Sequence, residues 1–277
     1  MTNPYLPHEA RILEVIRESP SLFTLRLQFT DPEVQAGYSF APGQFNMLYL
    51  YGCGEVAISV VSDTEDSGLL MHTIRALGRI TRGLTALKPG SRIGLRGPFG
   101  RGWPMAEAEG QDVVIVTGGL GCAPSVSVIH HILSRRERYG RLSILQGVKH
   151  ADDLIWRIRY DAWQAQPDVT VGLAADVASA TWHGTVGQVT RLIEPLDLHP
   201  ADTIAMLCGP EVMMQAAATA LHDKGLPAAA IHVSMERNMQ CAVGHCGHCQ
   251  SARHFVCRDG PVFAWTEVRG LLGARGY

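Results

Sequence analysis

Cys241, Cys246, Cys249 and Cys257 stand in the spacing C-x4-C-x2-C-x7-C. The first three follow the plant-type [2Fe–2S] pattern, in which four thiolates serve two irons. The fourth follows sooner than in plant-type ferredoxins. Gly244 and Gly247 lie inside the loop, where a backbone without Cβ atoms can approach bridging sulfides. Structural zinc is the alternative, because His245 and His248 share the loop and zinc accepts mixed Cys and His ligands. A Rieske centre takes two Cys and two His, which four well-spaced cysteines argue against. Cys53, Cys122 and Cys208 complete an odd total of 7. The pattern reads as a metal site with spare thiols, not a disulfide framework, and predicts the reducing cytoplasm.

A second kind of chemistry is suggested by Thr117-Gly118-Gly119-Leu120-Gly121-Cys122-Ala123-Pro124, which follows an apolar run and opens a helical segment. Gly119 and Gly121 permit a tight turn and the passage of a pyrophosphate over helix amides. Pro124 replaces the third glycine of the usual fingerprint and suits a first helical turn. Cys208-Gly209-Pro210 makes a similar turn after a later strand. No acidic residue closes the second strand; Lys149 and His150 stand there, a lean toward NADPH. His130 and His131 fall mid-helix and read as surface or packing residues.

The elements that hold these groups come in three textures. Residues 1–105 carry short alternating runs at 22–27, 45–50 and 70–75, bounded by Gly, Pro, Asp and Ser. These predict an antiparallel sandwich or barrel, with a helical turn at 81–87 and a break at 96–104. Residues 106–235 alternate apolar strands (112–116, 142–148, 169–173, 203–208, 231–233) with helices (124–138, 153–163, 187–193, 211–224). That order predicts a doubly wound α/β domain. Residues 236–277 are too few for a core of their own. The charge balance excludes a generally basic nucleic-acid binder, with Lys+Arg 24 against Asp+Glu 26 and a net charge of −2. Neither a membrane span nor a signal peptide is expected.

Barrel, nucleotide domain and Cys-rich tail, in that order, resemble the ferredoxin–NADP reductase superfamily with a C-terminal cluster. Pro42-Gly43-Gln44-Phe45 is similar to its PGQ[FY] strand, 119–124 to its GGxGxAP turn, and 208–210 to its CGP motif. Glu236-Arg237-Asn238-Met239 before the cysteines and Asp259-Gly260-Pro261-Val262-Phe263 after them resemble the gamma subunits of cytoplasmic NAD(P)-linked [NiFe] hydrogenases. They also resemble the electron-transfer subunit of dihydroorotate dehydrogenase. Where most of the superfamily begins its flavin strand with Arg, this chain has Glu55-Val56-Ala57-Ile58-Ser59, similar to the E-V-P-I-S form of hydrogenase gamma subunits.

The resemblance implies FAD on Ala57, Ile58, Ser59, His72, Thr73, Arg75, Gly78 and Thr81, with Arg75 supplying charge. Residues 78–81 look like the G-x-x-[ST] pyrophosphate turn, although Thr81 read alone is a plain helix cap. It further implies NAD(P)H on Gly119, Gly121, Cys208, Gly209 and Pro210, and a [2Fe–2S] cluster on the four tail cysteines. The function implied is electron transfer between NAD(P)(H), FAD and the cluster, to or from iron–sulfur and [NiFe] catalytic subunits. Dihydroorotate dehydrogenase and an NADH-dependent ferredoxin–NADP oxidoreductase are the alternative complexes. A zinc-stabilised interaction protein is the rival from another class. Val262, Phe263, Trp265, Leu271 and Leu272 form an apolar segment after the last cysteine; some are expected to pack on the chain's own domains, and the remainder to form a docking face for an iron–sulfur subunit.

Overall fold

The computed structural model describes residues 3–64 and 68–272. These form two compact units. One comprises residues 3–102, 126–131 and 236–261; the other comprises 103–125, 132–235 and 262–272. The Cys-rich stretch therefore divides, with its cysteines in the barrel unit and its last residues in the α/β unit.

In the first unit, apolar alternation builds β1 (His8–Arg17) and β2 (Leu22–Phe29). Helix α1 (Pro32–Gly37) follows, capped by Asp31, whose carboxylate accepts from Glu33 N at 2.9 Å. Then come β3 (Phe45–Leu50), β4 (Gly54–Ser59), β5 (Leu70–Arg75), α2 (Arg79–Thr85) and β6 (Arg92–Phe99). The strands pair antiparallel in the order β4-β3-β6-β1-β2-β5. Val61 N donates to Met71 O at 3.0 Å and Met71 N to Ser62 Oγ at 2.6 Å. These bonds join β5 to the chain leaving β4, so the sheet curls into a barrel. Ile12, Leu25, Leu27, Leu48, Ile74, Ile93 and Leu95 fill its interior, each fully buried. The break expected from residue 96 starts later, because β6 continues through Phe99.

The second unit is built on β7 (Asp112–Gly118), whose Val113–Val116 run is buried on both faces, as central parallel strands are. After it come α3 (Ala123–Leu133), β8 (Leu142–His150), α4 (Arg157–Gln164), β9 (Val169–Val177) and β10 (Thr185–Val186). β11 (Thr203–Cys208), α5 (Glu211–Asp223) and β12 (Ile231–Ser234) complete the expected alternation. Two elements differ from the sequence reading. Helix α4 starts at Arg157 because Trp156 sits at φ 60°, a left-handed conformation no helix continues through. At 187–193 there is a short 3₁₀ turn, Val189–Leu192, since Gly187 at φ 126° turns the chain out of β10.

In the Cys-rich stretch, β13 (Gln250–Ser251) and β14 (His254–Phe255) form a small hairpin before α6 (Val256–Asp259). β15 (Val262–Ala264) then pairs antiparallel with β12, and α7 (Trp265–Val268) follows. The sheet order is β10-β9-β8-β7-β11-β12-β15, parallel up to that last strand. Most of the apolar segment after the last cysteine packs inward, as expected of part of it, while Leu271 stays partly exposed. Val262, Phe263, Trp265 and Leu272 are 2%, 1%, 5% and 8% exposed, so they complete the core of their own unit. Among the described residues, no helix is long and apolar enough to cross a membrane.

Candidate cofactor sites

The tail cysteines meet as two pairs. Cys241 and Cys246 hydrogen-bond sulfur to sulfur, as do Cys257 and Cys249. Backbone amides also converge on these sulfurs. His245 N and Cys246 N donate to Cys241 Sγ at 3.2 and 3.4 Å, Gly244 N to Cys257 Sγ at 3.2 Å, and Cys257 N to Cys249 Sγ at 3.4 Å. Gly244 and Gly247 adopt φ of 74° and 80°, the left-handed turns that aim those amides inward. Burial pushes the Cys241 thiol up, but the amides of Cys246, Val243 and His245 outweigh it and bring its pKa to about 6. Cys257 is pushed up to about 12 by burial and by the neighbouring Cys249. Cys249 and Cys257 are buried and Cys246 is exposed. The two histidines of the loop are also exposed, and His245 Nδ1 is held by Tyr5 Oη at 2.5 Å.

Ala57, Ile58 and Ser59 lie on β4, where every residue is partly exposed. His72 and Thr73 are both buried on β5, His72 on the barrel's inner face with Leu70 and Ile74 and Thr73 on the opposite face. His72 is fully buried, with Nδ1 donating to Ser59 O at 2.9 Å and Nε2 accepting from Asn46 Nδ2 at 3.2 Å. Burial holds its pKa down at about 4, so the imidazole is neutral. Thr73 Oγ1 meets Thr24 Oγ1 at 2.9 Å. Both side chains thus have hydrogen-bond partners within the barrel. Arg75 is exposed at the strand end, as are Gly78, Arg79 and Arg82 around the start of α2. Thr81 Oγ1 accepts from Gly78 N and Leu77 N at 2.9 and 3.1 Å, so this third residue of α2 reaches back to the Gly78 cap.

Gly119, Gly121, Cys208, Gly209 and Pro210 come together because β7 and β11 are adjacent, with Thr117 opposite Cys208. The two glycines of the first turn have different reasons. At Gly119, φ is 55° and a Cβ would meet nothing within 4 Å, leaving an open approach above the turn. A Cβ on Gly121 would overlap the Cys208 carbonyl oxygen and stand 2.8 Å from Gly209 Cα. Gly121 therefore allows the two turns to touch, rather than serving the ligand directly. Sequence reasoning missed Thr117 and Gln146, buried polar residues inside apolar strands. Thr117 Oγ1 donates to Gln146 Oε1, whose Nε2 donates to Gly119 O at 3.0 Å and so pins the turn. Lys149 and His150 are exposed at the end of β8. An acidic residue does lie just beyond, since Asp153 Oδ2 accepts from His150 N at 3.3 Å. His130 and His131 face Asp63 at 3.8 Å and Thr64 at 3.3 Å.

An antiparallel barrel, a parallel sheet with paired glycine turns, and a loop that carries four cysteines make up a fold of the ferredoxin–NADP reductase kind. Residues 115–219 match the oxidoreductase NAD-binding domain, and 236–269 match the iron–sulfur cluster binding domain of dihydroorotate dehydrogenase B. Sulfhydrogenase 1 subunit gamma of Pyrococcus furiosus is 33% identical over 98% of this chain and 95% of its own length. A probable dihydroorotate dehydrogenase B (NAD(+)) electron transfer subunit of Methanocella arvoryzae is 32% identical over 96% of this chain and 94% of its own. A structure of NADH-dependent reduced ferredoxin–NADP oxidoreductase, described for flavin-based electron bifurcation, superposes with TM-score 0.75 at 23% identity, covering 99% of this chain and 96% of that one. The chain belongs to the family of sulfhydrogenase gamma subunits and dihydroorotate dehydrogenase B electron-transfer subunits, and is an oxidoreductase subunit.

Proposed function

We propose that this chain is the electron-transfer subunit of a cytoplasmic [NiFe] hydrogenase complex, exchanging electrons between NAD(P)(H), FAD and a [2Fe–2S] cluster. The observation that carries this reading is the near full-length similarity to a sulfhydrogenase gamma subunit. When bound, the flavin exchanges a hydride with NAD(P)(H) and the cluster carries electrons one at a time.

The residues present fit both groups. Four thiols suit two irons with two protein ligands each, and the C-x4-C-x2-C spacing favours that over the paired C-x2-C knuckles of structural zinc. Cys241 with Cys246 and Cys249 with Cys257 would therefore hold the cluster, with the sulfur-directed amides stabilising its negative charge. The partly exposed backbone of Ala57, Ile58 and Ser59 would lie along the flavin. Arg75, Arg79 and Arg82 surround the Gly78 turn and would face its phosphates, in place of the arginine that Glu55 replaces. NAD(P)H would approach over Gly119. The exposed edge of the cysteine loop, with Cys246, His245 and His248, would be the side open to the partner's iron–sulfur subunit. The cytoplasm belongs to this proposal because the cluster thiols must stay reduced until metal is inserted.

A second reading is favoured by the iron–sulfur domain match at 236–269: the same relay serving a dihydroorotate dehydrogenase. The related NADH-dependent ferredoxin–NADP oxidoreductase assembly is the third partner choice. Purification of the tagged chain from its native host, with identification of the bound subunits, decides among them. Recovery of a [NiFe] subunit supports the hydrogenase reading, and recovery of a dihydroorotate-binding subunit overturns it. Iron and acid-labile sulfide should each approach two per chain, as a [2Fe–2S] centre requires. Zinc without sulfide in anaerobically prepared protein would defeat the cluster assignment.

A further inference from the structure

Arg96 is a charged residue deep in the barrel unit, 4% exposed on β6. Its guanidinium has five N–H groups, and five acceptors meet them. Nε donates to Glu55 Oε2 at 2.8 Å and Nη2 to Glu55 Oε1 at 2.6 Å, a two-pronged ion pair. Nη1 donates to Cys241 O at 2.9 Å and Pro4 O at 3.0 Å, and Nη2 donates to Gln240 O at 3.0 Å. The ring of Phe99 lies under the guanidinium, 5.3 Å from centroid to carbon. Three backbone carbonyls, two of them flanking the entry into Cys241, are thus gathered on one cation. Glu55 holds that cation in place from β4, the strand assigned above to the flavin.

We propose that Arg96 is the positioning residue for the iron–sulfur loop and that Glu55 serves it, tying Cys241 to the flavin strand. The proposal rests on the reading of Cys241 as a cluster ligand. It also explains Glu55. A carboxylate at this position is unsuited to a flavin phosphate, but it neutralises and orients a buried arginine that has been turned toward the cysteine loop. An arginine here is not interchangeable with lysine, because only a planar fork can meet a carboxylate with two N–H groups and still reach three carbonyls. The pair also sets the charge beside Cys241. A cluster becomes more negative on reduction, so a nearby cation raises its potential and a nearby anion lowers it.

The test uses the full chain with its cofactors and the variants Glu55→Gln, Arg96→Lys and Arg96→Met. Three quantities are measured in each: cluster midpoint potential, flavin content, and amide hydrogen exchange across 238–246. Glu55→Gln keeps the side chain's size but removes the anion and one of the two acceptors that meet Arg96, so the cluster potential should rise while flavin content stays at the wild-type level. Arg96→Met should lower the potential of the clusters that remain. It should also speed exchange in the loop by about tenfold, the loss expected when one net hydrogen bond's worth of protection goes. Arg96→Lys should leave exchange fast, showing that charge alone does not hold the loop. Unchanged potential and unchanged loop exchange in Glu55→Gln and Arg96→Lys would overturn the proposal, as would parallel loss of flavin and cluster, which marks a role in barrel stability alone. If Arg96→Met does not fold, the other two decide. Iron and sulfide in the wild-type chain report separately on whether Cys241 holds a cluster, and loop exchange tests the clamp even in metal-free protein.

Discussion

The buried imidazole of His72 makes the barrel sensitive to mild acid, and the size of the effect follows from its surroundings. In the unfolded chain this residue titrates near the ordinary imidazole value of 6.5, whereas burial lowers it to about 4 in the fold. Between these values the unfolded chain binds a proton that the folded chain refuses, so stability falls as pH drops through this window. Above pH 6.5 the penalty is absent. From pH 7 to pH 5 the loss comes to about 2 kcal/mol, and below pH 4 it levels off at about 3 kcal/mol. The assay is urea unfolding of the full chain at pH 7 and pH 5, followed by a signal from the barrel, in wild type and in His72→Asn. Asparagine can still donate to Ser59 O but has no proton to gain. Its overall stability will be lower at both pH values because a cavity is left. The informative quantity is the difference between the two pH drops, since carboxylates titrate alike in both proteins. If wild type and variant lose the same stability between pH 7 and pH 5, the imidazole is not held neutral and the reasoning is wrong.

Three further outcomes follow from the second unit. Gly121→Ala should destabilise the chain by about 1–3 kcal/mol, because its Cβ meets backbone that cannot step aside. Gly119→Ala should cost only the left-handed strain of about 1–2 kcal/mol while weakening NAD(P)H binding, read as the concentration needed to reduce the flavin. A stop codon after Asp259 should lower the thermal midpoint of the α/β unit, since it deletes β15 and the buried Trp265 and Val268. An unchanged midpoint would mean that the seventh strand contributes nothing.

The order of elements was legible because period and punctuation are local. The alternation at 22–27 and 70–75 and the unbroken apolar run at 113–116 can each take only one place in a half-buried or doubly covered sheet. The cysteine loop was legible because ligand spacing is a local property too. What escaped sequence reading depends on partners far along the chain. Val262–Ala264 is too short to announce a strand, and only β12 makes it one. Phe263 and Trp265 could not be told from a docking face for the same reason: apolarity does not say which surface will cover it. Arg96, read as part of a boundary, meets Cys241 across 145 positions. Glu55 did carry a signal, as a departure from the superfamily's arginine, but its partner could not be named from spacing. Gln146 was detectable as a polar residue within an apolar strand.

The pairing of Ser234 with Val262 bears on how the cysteine loop comes to be made. All four tail cysteines lie on the excursion between the two residues of this one rung, at residues 235–261. Once β12 and β15 have zipped, the loop's ends are fixed, and an entropic cost on the order of 3 kcal/mol, from (3/2)RT ln n, is met by the sheet before any metal arrives. Iron insertion then has to organise a closed loop rather than a free tail. Paired antiparallel residues stand only about 5 Å apart, a gap that a tight turn can span. The cysteine loop is thus an insertion between two strands that pair with each other, and a redox centre can be gained or lost there without rethreading the sheet.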